Sequence, residues 1–355
     1  MQTLRLDLGE RSYSIHVGRN LEATLGKYLD NGRRAVAIVD AHLLEVQSAR
    51  LDRYLGDIPR LVVPRGEGSK TLYELERLSQ ALLELGLARD GLLIAVGGGV
   101  TGDLCGMLAA SYFRGIPFIQ LPTTLLAQVD SSVGGKVAVN LPAAKNALGF
   151  FHQPEAVIAD LAFLDTLELR EKRAGLAETI KIAAVADPIF LDRIESGLDE
   201  ILDDNGEELS SAVYHACELK AEIVKADERE SGLREILNFG HTLGHAVESA
   251  GLDPAWLHGE AIALGMLAAL RLGEKSGFGE PAMLNRMETL LDRAALPLRL
   301  PEGLDPSRII ELMDRDKKRR AGKLRWVLLN RWGQAHWGRD LPPEDLAATL
   351  QELRT

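Results

Sequence analysis

The sequence predicts a two-part fold: an α/β N-terminal domain with a mainly parallel, Rossmann-like sheet, then an all-α C-terminal domain. Three observations predict it. In the first half, short continuous apolar runs alternate with stretches of helical period. In the second half, helix-period segments follow one another with almost no strand pattern between them. A glycine loop in the first half lies directly between a strand pattern and a helix pattern.

Taken in order, residues 4–8 (LRLDL) and 12–17 (SYSIHV) alternate with period two and read as paired strands. Residues 35–39 form an unbroken apolar run ending in Asp40, the pattern of a strand buried on both faces. Residues 61–63 and 92–96 repeat that pattern on either side of a helix-period stretch, TLYELERLSQALLELG. Further strands are expected at 117–121 and 157–160. After about Leu161 the texture changes. Helical period runs through 167–186, 188–203, 206–228, 233–250, 258–276 and 281–294, with one late strand pattern, LRWVLL, at 324–329. The expected domains are therefore 1–161 and 162–355.

A chain of 355 residues accommodates two domains of ordinary size. The formal charge of −11 and an aromatic content of 5% argue against a nucleic-acid partner. Two cysteines, Cys105 and Cys217, make neither a disulfide framework nor a zinc knuckle. The start, MQTLRLDLGE, lacks the apolar core of a secretory leader, and no apolar stretch is long enough to span a bilayer. A soluble, cytoplasmic protein without a membrane partner is expected.

In LLIAVGGGVTGDLCG (92–106), Gly97, Gly99 and Gly102 satisfy G-x-G-x-x-G after a strand and at the opening of a helix. Glycines there let the backbone approach a pyrophosphate, whose charge meets the free N–H groups of the helix start. The same glycines also suit plain tight packing of strand on helix. The strand is not the first of its domain, and the next one ends in Gln120, Leu121 and Pro122 without an acid for a ribose; Asp40 could serve instead. A second loop, VDSSVGGKVAVN (129–140), is no P-loop, because Asp130 stands where the first glycine should be and Val137 follows Lys136.

The helical half carries three segments with chemistry-bearing residues. GLAETIK (175–181) sets Glu178 and Lys181 three apart, LNFGHTLGHAVE (237–248) sets His241 and His245 four apart, and WLHGEAIALG (256–265) opens with His258. Two imidazoles and a carboxylate are the usual protein ligands of a catalytic zinc with an open position. HTLGH is not H-E-x-x-H, since Thr242 replaces the glutamate base. Spacing leaves open whether both histidines of the pair ligate, or whether either is simply a capped or core residue.

Together the segments PRGEGSKT, AVGGGVTGDLCG, SYFRG, LPTTLLAQVDSSVGGKVAVN, KNALGFFHQP, GLAETIK, CELKAEIVKADERESGLREILNFGHTLGHAVE, WLHGEA and DKK occur in an order that resembles the 3-dehydroquinate synthase family of the sugar-phosphate cyclase superfamily. The resemblance runs from about Asp40 to Leu329. It implies NAD and one zinc or cobalt ion as cofactors. The metal ligands would be Glu178, His241 and His258, with His245 a proton-transfer group and Glu230 a candidate base. The NAD contacts would be Asp40, Glu67, Lys70, Gly98, Gly99, Val100, Asp103, Thr123, Thr124, Lys145, Phe163, Leu164, Asp165 and Thr166. Substrate contacts would be Arg114, Asp130, Lys136, Asn146, Lys181, Lys220, Arg234, Asn238 and either Lys317 or Lys318.

The implied reaction converts 3-deoxy-D-arabino-heptulosonate 7-phosphate to 3-dehydroquinate and phosphate. It runs by transient oxidation, phosphate elimination, re-reduction, ring opening and intramolecular aldol closure. The resemblance also implies a homodimer. A neighbouring reading is another cyclase, such as 2-deoxy-scyllo-inosose synthase; a remoter one is a metal-dependent alcohol or glycerol dehydrogenase.

Overall fold

The continuous apolar runs at 35–39 and 92–96 become strands buried on both faces, whereas the run at 61–63, expected to be buried, becomes the strand at the sheet edge, with Val63 buried and Val62 exposed. In chain order the strands of the first half are β1 (Gln2–Leu6), β2 (Tyr13–Gly18), β3 (Ala35–Asp40), β4 (Arg60–Val63), β5 (Leu92–Gly97), β6 (Phe118–Pro122), β7 (Lys136–Leu141), β8 (Ala144–Phe151) and β9 (Ala156–Asp160). Seven of them form one sheet in the order β1-β2-β9-β6-β5-β3-β4. Only β1–β2 is antiparallel; every other pairing in that sheet is parallel. The computed structural model describes residues 1–29, 32–203, 206–251, 255–319, 324–339 and 341–354, without the side chains of 314–319.

Period two explains the double burial. Val36 and Ile38 of β3 enter one core with Leu78, Leu82, Leu104 and Leu108, while Ala37 and Val39 enter the opposite core with Leu25, Leu43, Leu51 and Leu55. The helices that supply those partners are α1 (Glu22–Leu29), α2 (Ala41–Val46), α3 (Ser48–Leu55), α4 (Leu72–Glu84) and α5 (Gly99–Ser111). The chain runs from β3 outward to β4, then returns to the other side of β3 for β5 and continues to β6. The direction of strand order therefore reverses between β3 and β5. Such a switch point opens a crevice at the carboxyl ends of the strands, where Asp40 and Gly97 stand.

The sequence patterns missed the β7–β8 hairpin. Its strands read as a loop because Gly134, Gly135 and Pro142 punctuate them, and β8 is exposed along most of its length. The hairpin is tied to the first unit through Asn140, whose backbone N–H donates to the Lys70 carbonyl at 2.8 Å.

The second half contains α6 (Leu169–Ala186), α7 (Pro188–Ser196), α8 (Leu198–Leu202), α9 (Glu207–Ala226), α10 (His241–Glu248), α11 (His258–Lys275), α12 (Pro281–Arg293), α13 (Pro306–Arg319) and α14 (Pro343–Glu352). Two compact units result: Met1–Glu168 with Leu209–Glu228, and Leu169–Glu208 with Arg229–Thr355. Among its described residues the second is built of helices and one hairpin, β10 (Trp326–Arg331) with β11 (Gln334–Arg339). Its central element is α11, whose residues 261–270 are buried all round, so the longest apolar stretch of the chain is a core helix. Among the described residues no helix is long and apolar enough to cross a membrane.

The stretch 233–250, expected as one helix, is two. A 3₁₀ turn (Leu233–Asn238) ends at Phe239, and Gly240 adopts the left-handed conformation, φ +81°, before α10 begins at His241. Arg234 and Asn238 therefore lie on a different element from His241 and His245, not upstream on the same helix.

Candidate active site

Three helices of the second unit bring Glu178, His241 and His258 together, their ligand atoms all within 4.8 Å of one another. His258 Nε2 is 3.4 Å from Glu178 Oε1, and His241 Nε2 is 3.9 Å from the same oxygen. Two atoms each about 2.0 Å from a tetrahedral zinc lie about 3.3 Å apart, so these separations fit one ion with little adjustment. Both imidazoles turn Nε2 inward. The Nδ1 of His241 faces the Phe239 carbonyl at 3.2 Å, and the Nδ1 of His258 faces Glu248 Oε2 at 3.0 Å.

Close backbone packing sets this geometry. A Cβ on Gly259, next to His258, would lie 1.9 Å from the Ala174 carbonyl oxygen, so α11 meets α6 one turn before Glu178. Gly265 makes the same kind of approach to the turn that precedes His241.

The electrostatics leave two of the three ligands without a proton. Glu178 is fully buried, and neither oxygen receives a hydrogen bond. Lys181 Nζ stands 2.5 Å from Oε2 as an ion pair, but outside hydrogen-bonding alignment. Burial alone would raise the Glu178 carboxyl; the Lys181 charge and His258 outweigh it and hold it at about 2. Burial, with the charges of Lys181, His245 and His258, pushes His241 well below the ordinary imidazole range, leaving it neutral with a lone pair to donate. His258, with burial opposed by Glu178 and Glu248, is pushed up to about 10.

His245, exposed on α10, stands outside the ligand cluster, its ring centre 5.1 Å from that of His241 and 6.0 Å from that of His258. Asn238 donates to Glu230 Oε1 at 2.9 Å, and Glu230 is itself left-handed, φ +56°. Arg234 and Lys181 are buried to 2% exposure each, an expensive position for a cation unless it is paired, as Lys181 is with Glu178. The side chains of Lys317 and Lys318 lie outside the described residues.

In the first unit the glycine loop divides its labour. A Cβ on Gly102 would meet the Gln120 side chain at 2.7 Å, so this glycine serves the packing of α5 on β6. Gly98 and Gly99 form the turn at the switch point, where no side chain caps the start of α5. A Cβ on Gly98 would lie 3.1 Å from the Thr124 side chain and one on Gly99 2.9 Å from Ser131 Oγ, so a side chain at either position would crowd this cradle. Val100 follows in the first turn, and Thr123 donates its N–H to the Gly97 carbonyl.

Lys70 reaches Asp103 Oδ2 at 2.5 Å and also donates to Asn146 Oδ1. Burial raises the Asp103 carboxyl, against the opposing charge of Lys70. Asn140 completes this network, although nothing in the sequence singled it out. Its Nδ2 donates to Glu67 Oε1 at 2.7 Å, and its Oδ1 accepts from the backbone N–H of Asn146 at 2.8 Å. Lys220 donates to the carbonyl and carboxylate of Asp130, which lies in a π-helical turn, a geometry common at functional sites.

Other expected contacts are less direct. Asp40 already caps α2 through the His42 N–H. Phe163 and Leu164 are buried in the core, so what they present is backbone, while Asp165 pairs with Arg19 and Arg50, and Thr166 accepts from Gln47. Arg114, Lys136 and Lys145 are exposed. Arg114 follows left-handed Phe113 and is left-handed itself, φ +70°.

A parallel sheet with a glycine turn at its switch point, and a helical unit with a Glu-His-His cluster, are the frame of a metal-dependent enzyme, and comparison with known proteins places it with the sugar-phosphate cyclases. Family models described as 3-dehydroquinate synthase N-terminal and 3-dehydroquinate synthase C-terminal match residues 60–174 and 175–319. The chain belongs to the 3-dehydroquinate synthase family. It is 43% identical to the 3-dehydroquinate synthase of Symbiobacterium thermophilum, over 98% of this chain and all of that one. Among solved structures it is similar to the 2-epi-5-epi-valiolone synthase of Streptomyces hygroscopicus with NAD+ and Zn2+ bound, at 28% identity and a TM-score of 0.88, covering 98% of each chain. It is similar also to a 2-deoxy-scyllo-inosose synthase complexed with carbaglucose-6-phosphate, NAD+ and Co2+, at 26% identity and a TM-score of 0.89, covering 99% of this chain and all of that one.

Proposed function

We propose that the protein converts 3-deoxy-D-arabino-heptulosonate 7-phosphate to 3-dehydroquinate and phosphate, with NAD and one divalent metal, zinc or cobalt. The observation that carries this reading is the Glu178, His241 and His258 cluster in a chain whose full length matches 3-dehydroquinate synthases. The buried, unbonded oxygens of Glu178 and the inward Nε2 atoms of both histidines fit a metal; the Gly98–Gly99 cradle at the uncapped start of α5 fits a dinucleotide pyrophosphate. When bound, NAD supplies a hydride acceptor that is regenerated each turnover, and the metal polarises the oxygen being oxidised.

The chain's own residues do the rest. Glu178 and His241 stand ready as ligands without first losing a proton. His245 Nδ1 or Nε2 takes the proton released from the substrate hydroxyl, since an imidazole nitrogen with a free lone pair accepts a proton that the ring can pass on. Arg114, Lys136, Lys181, Lys220 and Arg234 are assigned to the substrate's phosphate and carboxylate, which they hold by charge-assisted hydrogen bonds. With the phosphate fixed in this way, its departure and the later ring closure need orientation more than further acid–base groups. Glu230, held by Asn238, is a candidate base. Asp40, Glu67, Lys70, Asp103, Thr123, Thr124 and Lys145, with the backbone around Phe163, are assigned to NAD.

The enzyme is read as a cytoplasmic homodimer. Support for the dimer comes from β8, which pairs only with β7 among the described residues and exposes Leu148, Phe150 and Phe151. Sedimentation would show a monomer if this part is wrong.

The test of the activity is phosphate release with catalytic NAD from the heptulosonate, compared with glucose 6-phosphate and sedoheptulose 7-phosphate. The heptulosonate should be turned over without NADH accumulating. Preference for either other sugar phosphate, or a steady rise in NADH, would overturn the reading.

A further inference from the structure

One carboxylate beside the cluster has no role in the assignments above. Glu248 is the last residue of α10, two helical turns beyond His241, and its Oε2 lies 3.0 Å from His258 Nδ1. The far side of the same ring, Nε2, faces Glu178 at 3.4 Å. His258 is thus held from both edges of its ring by carboxylates of two different helices. An imidazole that gives one nitrogen to a metal ion keeps its proton on the other, so an acceptor at that other edge fixes which nitrogen faces the ion.

We propose that Glu248 is a positioning residue for the metal centre: it accepts the Nδ1 proton of His258 and so presents the Nε2 lone pair to the ion. The inference rests on the metal reading given above. His241 obtains the same orientation from the Phe239 carbonyl, a backbone group. His258 opens its helix and follows a loop, so no carbonyl of a preceding turn of its own helix is in place to do this, and a side chain from α10 takes over. The carboxylate also makes the imidazole a stronger donor than a neutral acceptor would.

The test is zinc affinity of the metal-stripped protein, measured by competition with a chromophoric chelator. Glu248→Ala should weaken binding by about 10–100-fold. Glu248→Gln, whose amide oxygen accepts the same hydrogen bond, should recover most of that loss. Equal affinity of Glu248→Ala and the parent, or an equal loss in both variants, overturns the proposal. His258→Ala is measured in parallel: if it binds zinc as the parent does, the metal reading itself fails, whatever Glu248 does. Should the alanine variant not fold, the nitrogen shifts of the His258 ring in the zinc-loaded parent decide. A proton on Nδ1 with Nε2 bound is the expected state; Nδ1 bound to zinc overturns it.

Discussion

Gly265 of α11 passes so close to Gly240 that a methyl group on it would sit 1.8 Å from the Gly240 carbonyl oxygen. Gly240 needs its own freedom as well, being left-handed at φ +81° with a would-be Cβ 2.8 Å from the Ile262 carbonyl. This contact fixes where α10 starts, and hence where His241 lies relative to His258, seven residues before Gly265. Gly265→Ala must push α10 and α11 apart. It should destabilise the protein by about 1–3 kcal/mol or more, as overpacking does, and lower zinc affinity at the same time. Thermal unfolding and zinc titration of the stripped protein check both; an unchanged zinc affinity would separate the packing from the site.

The histidine pair makes a sharper prediction. His241→Ala and His258→Ala each remove a ligand and should lose stoichiometric zinc, with turnover following. His245→Ala should keep one zinc per chain and lose about 10²–10⁴-fold in kcat, the usual worth of a general acid–base group. Metal analysis beside the kinetics decides it: loss of zinc in the His245 variant would make the pair a double ligand after all. Chelation of the parent should abolish phosphate release, and added zinc or cobalt should restore it.

Asn140 joins residues assigned to different ligands. It holds Glu67 with its amide nitrogen and the Asn146 backbone with its oxygen, and Asn146 in turn meets Lys70. Asn146 sits at φ +51°, a conformation that an asparagine tolerates but that needs outside support. Asn140→Ala should release both, raising KM for the heptulosonate and Kd for NAD together by about tenfold, the effect of one or two lost hydrogen bonds. A change in one constant alone would show that the network does not link the two ligands.

How far the sequence carried depends on which signal was local. Strands β3 and β5 were legible because burial on both faces writes itself as an unbroken apolar run, and in β6 and β9 only Gln120 and the terminal Asp160 depart from it. The β7–β8 hairpin was not, because an exposed strand flanked by glycines and a proline has the texture of a loop. The break at Gly240 was hidden by apolar residues on both sides, Ile236, Leu237 and Leu243, that keep helical spacing across it. At the site, spacing placed His241 and His245 together but is silent on the third helix; only the family resemblance chose between them, and the packing of Gly259 and Gly265 shows how His258 arrives. Glu248 and Asn140 left no local signal at all, since each acts on a residue across a loop or a strand.

The last prediction separates the stability of α11 from its chemistry. At its C-terminal end, Lys275 donates to Glu352 Oε1 of α14 at 2.6 Å, and Arg271 lies 3.4 Å from Oε2. The hydrogen bond from Lys275, then the two positive charges, hold the Glu352 carboxyl below its ordinary value of 4.5. A carboxyl lowered in the folded state stabilises above its unfolded pKa, and that contribution is lost as pH falls through the lowered, folded value. The partners are half exposed, so the contribution is small, at most about 1 kcal/mol. Glu352→Gln should therefore be slightly less stable than the parent at about pH 7, and the gap should close in acid, as the pH is taken down from 4.5 through the lowered folded value. Lys275 is 17 residues from His258, about 25 Å along the helix at 1.5 Å per residue. Zinc affinity should accordingly be the same in both proteins. Denaturant titrations at neutral and at acid pH and one zinc titration check this, and a gap that persists at low pH would assign the effect of Glu352 to packing and not to its charge.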